Sequence, residues 1–265
     1  MSEHGVLLET FDDGDVLSAI RWAYDSATAR VLEDYSEAAG HDAAWVGFTR
    51  WTLFRDRLDR VFSCRRYAVS DGADGRLSLD VLQGELSGKD IATMPQIEPG
   101  TVVRSDLNGS PGWSLSGTRW LLASVVYGRL NEHRWPRKSA TKQFVAMQPA
   151  PDTEHPTLFD DFAAEERGGL VALSEADGPD LVTLVVGHTL AVDHGGRELV
   201  IGQPRFNLDG GPAWHWTHDL LQSPPPDGGR VRPAGPTPVT PDAVPDAPVK
   251  LRASAAANNQ AGGAR

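Results

Sequence analysis

The sequence predicts an α+β fold: two N-terminal helices packed on antiparallel β-sheet structure, a strand-rich second half and a disordered proline-rich C-terminal tail. Three observations predict it. Apolar residues recur at steps of three and four near the start, and at steps of two or in short runs further on. Helical patterns precede the strand patterns instead of alternating with them, which argues against a doubly wound parallel sheet. From residue 223 onward the hydrophobic pattern stops, and nine of the nineteen prolines fall in that stretch.

In order, Asp12, Asp13 and Asp15 place negative charge ahead of an amphipathic segment, where it suits a helix N-terminus. Leu17, Ile20, Tyr24, Ala27, Val31 and Tyr35 follow on one helical face, and Gly40 closes the segment. A second helix is expected to start near Thr49, an N-cap residue, with Trp51, Phe54, Leu58 and Val61 inward. The period then changes. Residues 66–69 and 77–81 read as strands joined by the glycine- and aspartate-rich turn 70–75. A second hairpin joins 101–107 to 113–116 through Asn108-Gly109-Ser110-Pro111-Gly112. Residues 120–127 form an apolar run compatible with strand or helix, and 143–147 read as extended. A helical patch at 158–166 precedes strands at 170–174, 181–192 and 198–201, the last two joined by Asp193-His194-Gly195-Gly196. The connection at 149–156 marks the best boundary. It gives 1–148 as a helix pair plus sheet with a basic and aromatic surface, 157–222 as a smaller strand-rich subdomain, and 223–265 as the tail. That tail lacks the apolar surface needed to offset its ordering entropy.

Composition narrows the function classes. The chain has 265 residues and a formal charge of −11. Its one cysteine, Cys64, rules out an intrachain disulfide and a thiolate-rich zinc site. No run is long enough to span a bilayer and the N-terminus has no signal-peptide pattern, so a soluble cytoplasmic protein without membrane contact is expected. The charge is unevenly spread: −7 over residues 1–40, +4 over 41–142 and −8 over 143–265. At physiological salt, screening over about 8–10 Å makes local sign matter more than the sum at close approach.

Two basic groups account for the positive middle. The first is Arg50, Arg55, Arg57, Arg60, Arg65 and Arg66, interleaved with Trp51, Phe54, Phe62 and Tyr67. The second is Arg129, His133, Arg134, Arg137, Lys138 and Lys142, with Tyr127, Trp135 and Phe144 alongside. Nucleic-acid recognition needs cations for phosphates and flat rings for unstacked bases, and both groups supply the two ingredients. For the first, the rival reading is a solvated helix face, since Arg55–Asp59 and Asp56–Arg60 are i,i+4 pairs. The second holds one acid, Glu132, and Pro136 makes it a loop. Its rival is a salt-bridged interdomain or dimer surface.

The sequence therefore favours a non-enzymatic binding protein for nucleic acid or another acidic partner. Arg134, Arg137, Lys138 and Lys142 would neutralise phosphates, Trp135 would stack, and Arg57 and Arg60 would extend the surface. No cofactor is expected. The alternative from another class is a hydrolase or metal site built on His188, Asp193, His215 and His218, imidazoles and carboxylates being the ligands left to a chain with one thiol. A third is an assembly subunit using exposed tryptophans. Ser139-Ala140-Thr141-Lys142 matches the Ser-x-x-Lys pattern of acyl-serine enzymes, but its downstream companions are missing. Walker, dinucleotide-binding and calcium-loop patterns are absent as well.

Overall fold

A computed structural model describes residues 3–68, 81–149, 181–208 and 210–222. The expected turn at 70–75, the helix at 158–166, the strand at 170–174 and the C-terminal tail lie outside these residues. Within them the fold is α+β, as the sequence predicts.

Three helices open the chain: α1 (Glu3–Asp13), α2 (Val16–Asp34) and α3 (Ala43–Val61). The expected face of α2 is real, with Leu17, Ile20, Tyr24, Ala27 and Val31 all buried. Its helical turns end earlier than the pattern implies. Tyr35 is already extended, and Gly40 ends a short 3-10 turn, Glu37–Ala39, in a left-handed conformation. Helix α1 is an addition to the two expected. It holds Phe11 edge-on to Trp120 at a centroid distance of 5.1 Å, so tertiary packing supports it more than its own weak pattern does. Helix α3 starts well before Thr49, because the Asp42 side chain accepts a hydrogen bond from the Trp45 N–H at 2.8 Å and caps it.

The described residues hold six strands, β1 (Val103–Arg104), β2 (Gly112–Leu115), β3 (Thr118–Ser124), β4 (Val182–Ala191), β5 (Gly196–Pro204) and β6 (Trp214–Asp219). They form one sheet in sequence order. Every neighbouring pair is antiparallel except β3 and β4, which run parallel with Thr118 opposite Val182 and Ser124 opposite His188. The sheet is thus mixed instead of purely antiparallel, and it draws strands from both sides of the 149–156 connection. The ambiguous run at 120–127 resolves into β3 and the loop after it. The β2–β3 hairpin turns on Ser116 and Gly117, both at positive φ, the geometry that matches strand twist.

Alternation along β3 and β4 sorts the side chains onto two cores. Trp120, Leu122, Leu184 and Val186 join α1, α2 and α3 in one. Leu121, Ala123 and Val185 join Trp135, Val145 and Trp214 in the other. The second core is covered by α5 (Ala140–Ala146), where the sequence predicts an extended segment. Four-residue runs such as Gln143–Ala146 carry too little periodicity to separate the two, and the inward contacts of Val145 and Ala146 decide for helix. A short α4 (Gly88–Thr93) is closed by a capping box between Ser87 and Asp90. No helix among the described residues is long and apolar enough to cross a membrane.

Candidate anion-binding site

The two basic groups have opposite fates. In the first group Arg57 and Arg60 of α3 are buried and paired with a carboxylate, and Arg65 and Arg66, exposed beyond the helix, are paired as well. Asp56 accepts from Arg57 Nη1 at 2.9 Å, Arg60 Nε at 2.8 Å, Tyr67 Oη at 2.7 Å and Arg66. Burial pushes the Asp56 carboxyl up, but hydrogen bonds from Arg60, Tyr67 and Arg66 outweigh it and hold the group below its ordinary range. Arg57 Nε also donates to Ser26 Oγ at 3.0 Å, and Arg60 Nη1 donates to the carbonyls of Leu82 and Gly84. Nearby, Arg104 pairs with Asp59 at 2.9 Å and with Asp106 at 2.8 Å, while Arg65 pairs with Asp106. These guanidinium groups tie α3 to its surroundings.

Two expectations are thereby corrected. Arg57 and Arg60 are buried and internally paired, so they do not extend a surface open to phosphates. Trp135 is 0% exposed and its indole N–H donates to the Ala213 carbonyl, so it offers no face to a base. It packs edge-on to Trp214 at 5.1 Å. Arg134 and Arg137 are exposed, with Arg134 Nη2 donating to the Leu208 carbonyl at 2.9 Å.

Lys138 and Lys142 go elsewhere. Lys138 is the residue after the 3-10 turn Trp135–Arg137, and its Nζ donates to the Ser124 carbonyl at 2.7 Å. From the opposite face of the sheet, Arg50 of α3 reaches the same residue, with Nη2 donating to Ser124 Oγ at 3.0 Å. Ser124 is the last residue of β3, and its neighbour across the parallel pairing is His188 of β4. Cations from both faces thus meet past the carboxyl end of β3, the kind of place where open sheets with parallel strands receive ligands.

The helical repeat explains how Arg50 comes to be there. Val46, Arg50, Phe54 and Leu58 succeed each other at steps of four on the buried side of α3, so a guanidinium occupies an apolar position and is 3% exposed. His188 likewise occupies the third inward position of β4 after Leu184 and Val186, and is 0% exposed. Phe54 sits edge-on to its ring at 5.2 Å and Tyr24 lies 6.4 Å away.

Electrostatically this locus contrasts with the Asp56 network. Among the described residues, no carboxylate pairs with Arg50, Lys138 or Lys142. Burial lowers the Lys138 ammonium, and burial together with Lys138 lowers that of Lys142. Burial also lowers Arg50, opposed only by the Tyr24 hydroxyl, itself pushed up to about 12 by burial. His188 is driven well below its ordinary value by burial and then by Arg50, Lys138 and Lys142, so its ring is neutral. Nε and Nη1 of Arg50 and both ring nitrogens of His188 are four of the eleven buried side-chain atoms that lack a hydrogen-bond partner among the described residues. Buried polar atoms are almost always satisfied, and these four lie side by side on Arg50 and His188.

The remaining histidine and aspartate candidates do not join it. Asp193 stands in the exposed β4–β5 turn. His215 and His218, three apart on a strand instead of a helix, point to opposite faces of β6. Among the described residues, no group of three or more His, Cys, Asp or Glu side chains is placed to hold a metal ion. Cys64 is buried, and burial with the nearby Asp59 raises its thiol to about 11, which makes it inert. The chain matches no protein-family model, no curated protein and no solved structure at a significant level.

Proposed function

We propose that this chain is a non-enzymatic binding protein for a polyanion, with nucleic acid the partner that its basic segment suits best. One observation carries the reading: Arg50 and Lys138 reach Ser124 from the two faces of the sheet, beside His188 and with half-buried Lys142 four residues further on, and no carboxylate among the described residues pairs with these cations. Burying an unpaired charge costs several kcal/mol, and a bound anion is the partner that offsets that cost. Exposed Arg134 and Arg137 precede Lys138 on the same segment, so solvent-facing and half-buried cations follow one another from surface to interior. A polyanion laid along Arg134, Arg137, Lys138 and Lys142 meets about four cations. For a single strand that corresponds to a slope near −3 in log affinity against log salt, about −0.7 per charge.

The test is fluorescence anisotropy with a single-stranded oligonucleotide of about ten nucleotides over a salt series. Binding with that slope, weakened at least about ten-fold by Arg137→Glu with Lys138→Glu, supports the reading. Binding that ignores salt, or that survives the double charge reversal, overturns it.

A further inference from the structure

We infer that the group seated at the end of β3 is a terminal phosphate, so the chain recognises a phosphorylated strand end in preference to the interior of a polyanion. This rests on the polyanion-binding reading above.

Depth is the first reason. Arg50 and His188 are almost fully enclosed, while Lys138 and Lys142 are half-buried. An internal phosphodiester is flanked by two sugars and needs a groove open at both ends. A terminal phosphate needs a single entrance and can reach a guanidinium at the bottom of it. Charge is the second reason. An internal phosphodiester brings one negative charge to three cations, whereas a phosphomonoester brings about −1.5 to −2 at neutral pH and balances them more closely.

The donors fit as well. Arg50 has Nε and Nη1 unengaged on a planar guanidinium, the geometry that suits phosphate oxygens. Ser124 Oγ accepts from Arg50, which leaves its own hydroxyl proton free to donate. His188 adds a donor beside them. Its ring is faced by Tyr24 from α2, by Arg50 and Phe54 from α3, and by the charges of Lys138 and Lys142. None of these groups hydrogen-bonds to either of its nitrogens. A neutral imidazole presents one donor and one acceptor. An oxygen of the phosphomonoester can take the imidazole N–H.

The experiment uses the full chain and three oligonucleotides of one sequence, about ten nucleotides long. One carries a 5′-phosphate, one a 3′-phosphate, and one has hydroxyls at both ends. Anisotropy is read with and without inorganic phosphate as competitor, for the parent protein, Lys142→Gln and Lys138→Gln, with thermal melts verifying that both variants fold. The expected result is roughly ten-fold or tighter binding of at least one phosphorylated strand over the hydroxyl-ended one, the scale of a charge-assisted contact. Inorganic phosphate should erase that advantage, as should Lys142→Gln, which leaves the three strands with one shared affinity, lowered for all of them by the loss of one of the four cations. The two phosphorylated arms distinguish which end enters. Equal, salt-dependent binding of all three strands overturns the terminal-phosphate inference and leaves the polyanion reading standing. An advantage that persists in both lysine variants overturns its placement at this site. Failure of every strand to bind overturns both readings.

Discussion

Arg50→Met separates a residue kept for a ligand from one kept for the fold. Methionine matches the length of the arginine stem and suits the apolar position between Val46 and Phe54. Replacing buried ion pairs by apolar residues of similar volume stabilises many proteins by about 1–4 kcal/mol, and the desolvation cost it relieves applies to Arg50 as well. Against this stands the bond from the charged Arg50 Nη2 to Ser124 Oγ, worth about 1.5–3 kcal/mol. The expected net change lies between a loss of about 2 and a gain of about 2.5 kcal/mol in buffer free of phosphate and sulfate. At about 2–4 °C per kcal/mol for a chain of this size, the melting temperature moves by no more than about 10 °C either way. The assay is thermal unfolding followed by near-ultraviolet circular dichroism, with and without phosphate. Phosphate should raise the melting temperature of the parent protein, by the equivalent of about 2.7 kcal/mol at one hundred times its dissociation constant. It should leave Arg50→Met unmoved. A loss of more than about 2 kcal/mol in phosphate-free buffer would refute the reasoning, because it would show that Arg50 is held by a contact the fold needs.

Asp56→Asn is the opposite case. It removes the charge that balances buried Arg57 and Arg60, and should cost about 3–5 kcal/mol in urea unfolding. Because the folded Asp56 carboxyl lies below its ordinary value, its stabilisation is present above about pH 3.9 and is lost as pH falls through the folded value. The variant should flatten that part of the acid limb, and an unchanged limb would contradict the assignment. His188 lies well below its ordinary value, and burial followed by Lys138 lowers His133 to about 4. The unfolded chain then takes up protons before the folded one does. Stability should fall as pH drops below about 6.5, by up to about 1.4 kcal/mol per pH unit for each histidine. His188→Leu should remove its share of that slope. Stability that stays flat between pH 6.5 and 5 would rule the assignment out.

Local pattern carries far into this fold and then stops. The inward face of α2, the β1–β2 hairpin and the tight β4–β5 turn follow from spacing and turn chemistry among near neighbours. Helix α5 does not, because seven residues hold too little periodicity and their burial against the second core decides. The site was legible in fragments. Lys138 and Lys142 show in the sequence as uncompensated cations, whereas Arg50 is hidden among arginines half of which pair with Asp56, and the spacing of His188 suggests a metal ligand. The usable signal was positional: Arg50 interrupts an apolar row on α3, and His188 interrupts one on β4. That those interruptions meet depends on the parallel pairing of Ser124 with His188, a contact between residues 64 positions apart that no local spacing encodes. Trp135 departs from its sequence pattern for a related reason. Its neighbours in sequence are basic and exposed, but its neighbours in space are Trp214 and Ala213.

The parallel pairing of β3 with β4 also has a cost during synthesis. Thr118 leaves the ribosome 64 residues ahead of Val182, the residue it pairs with. At about 5–20 residues per second, one flank of β3, carrying Trp120, Leu121 and Leu122, waits roughly 3–13 s for its partner strand. An unsatisfied strand flank of that kind is an invitation to foreign chains. A nascent polypeptide stalled before residue 182 should therefore recruit chaperones, and one extended past β5 should release them.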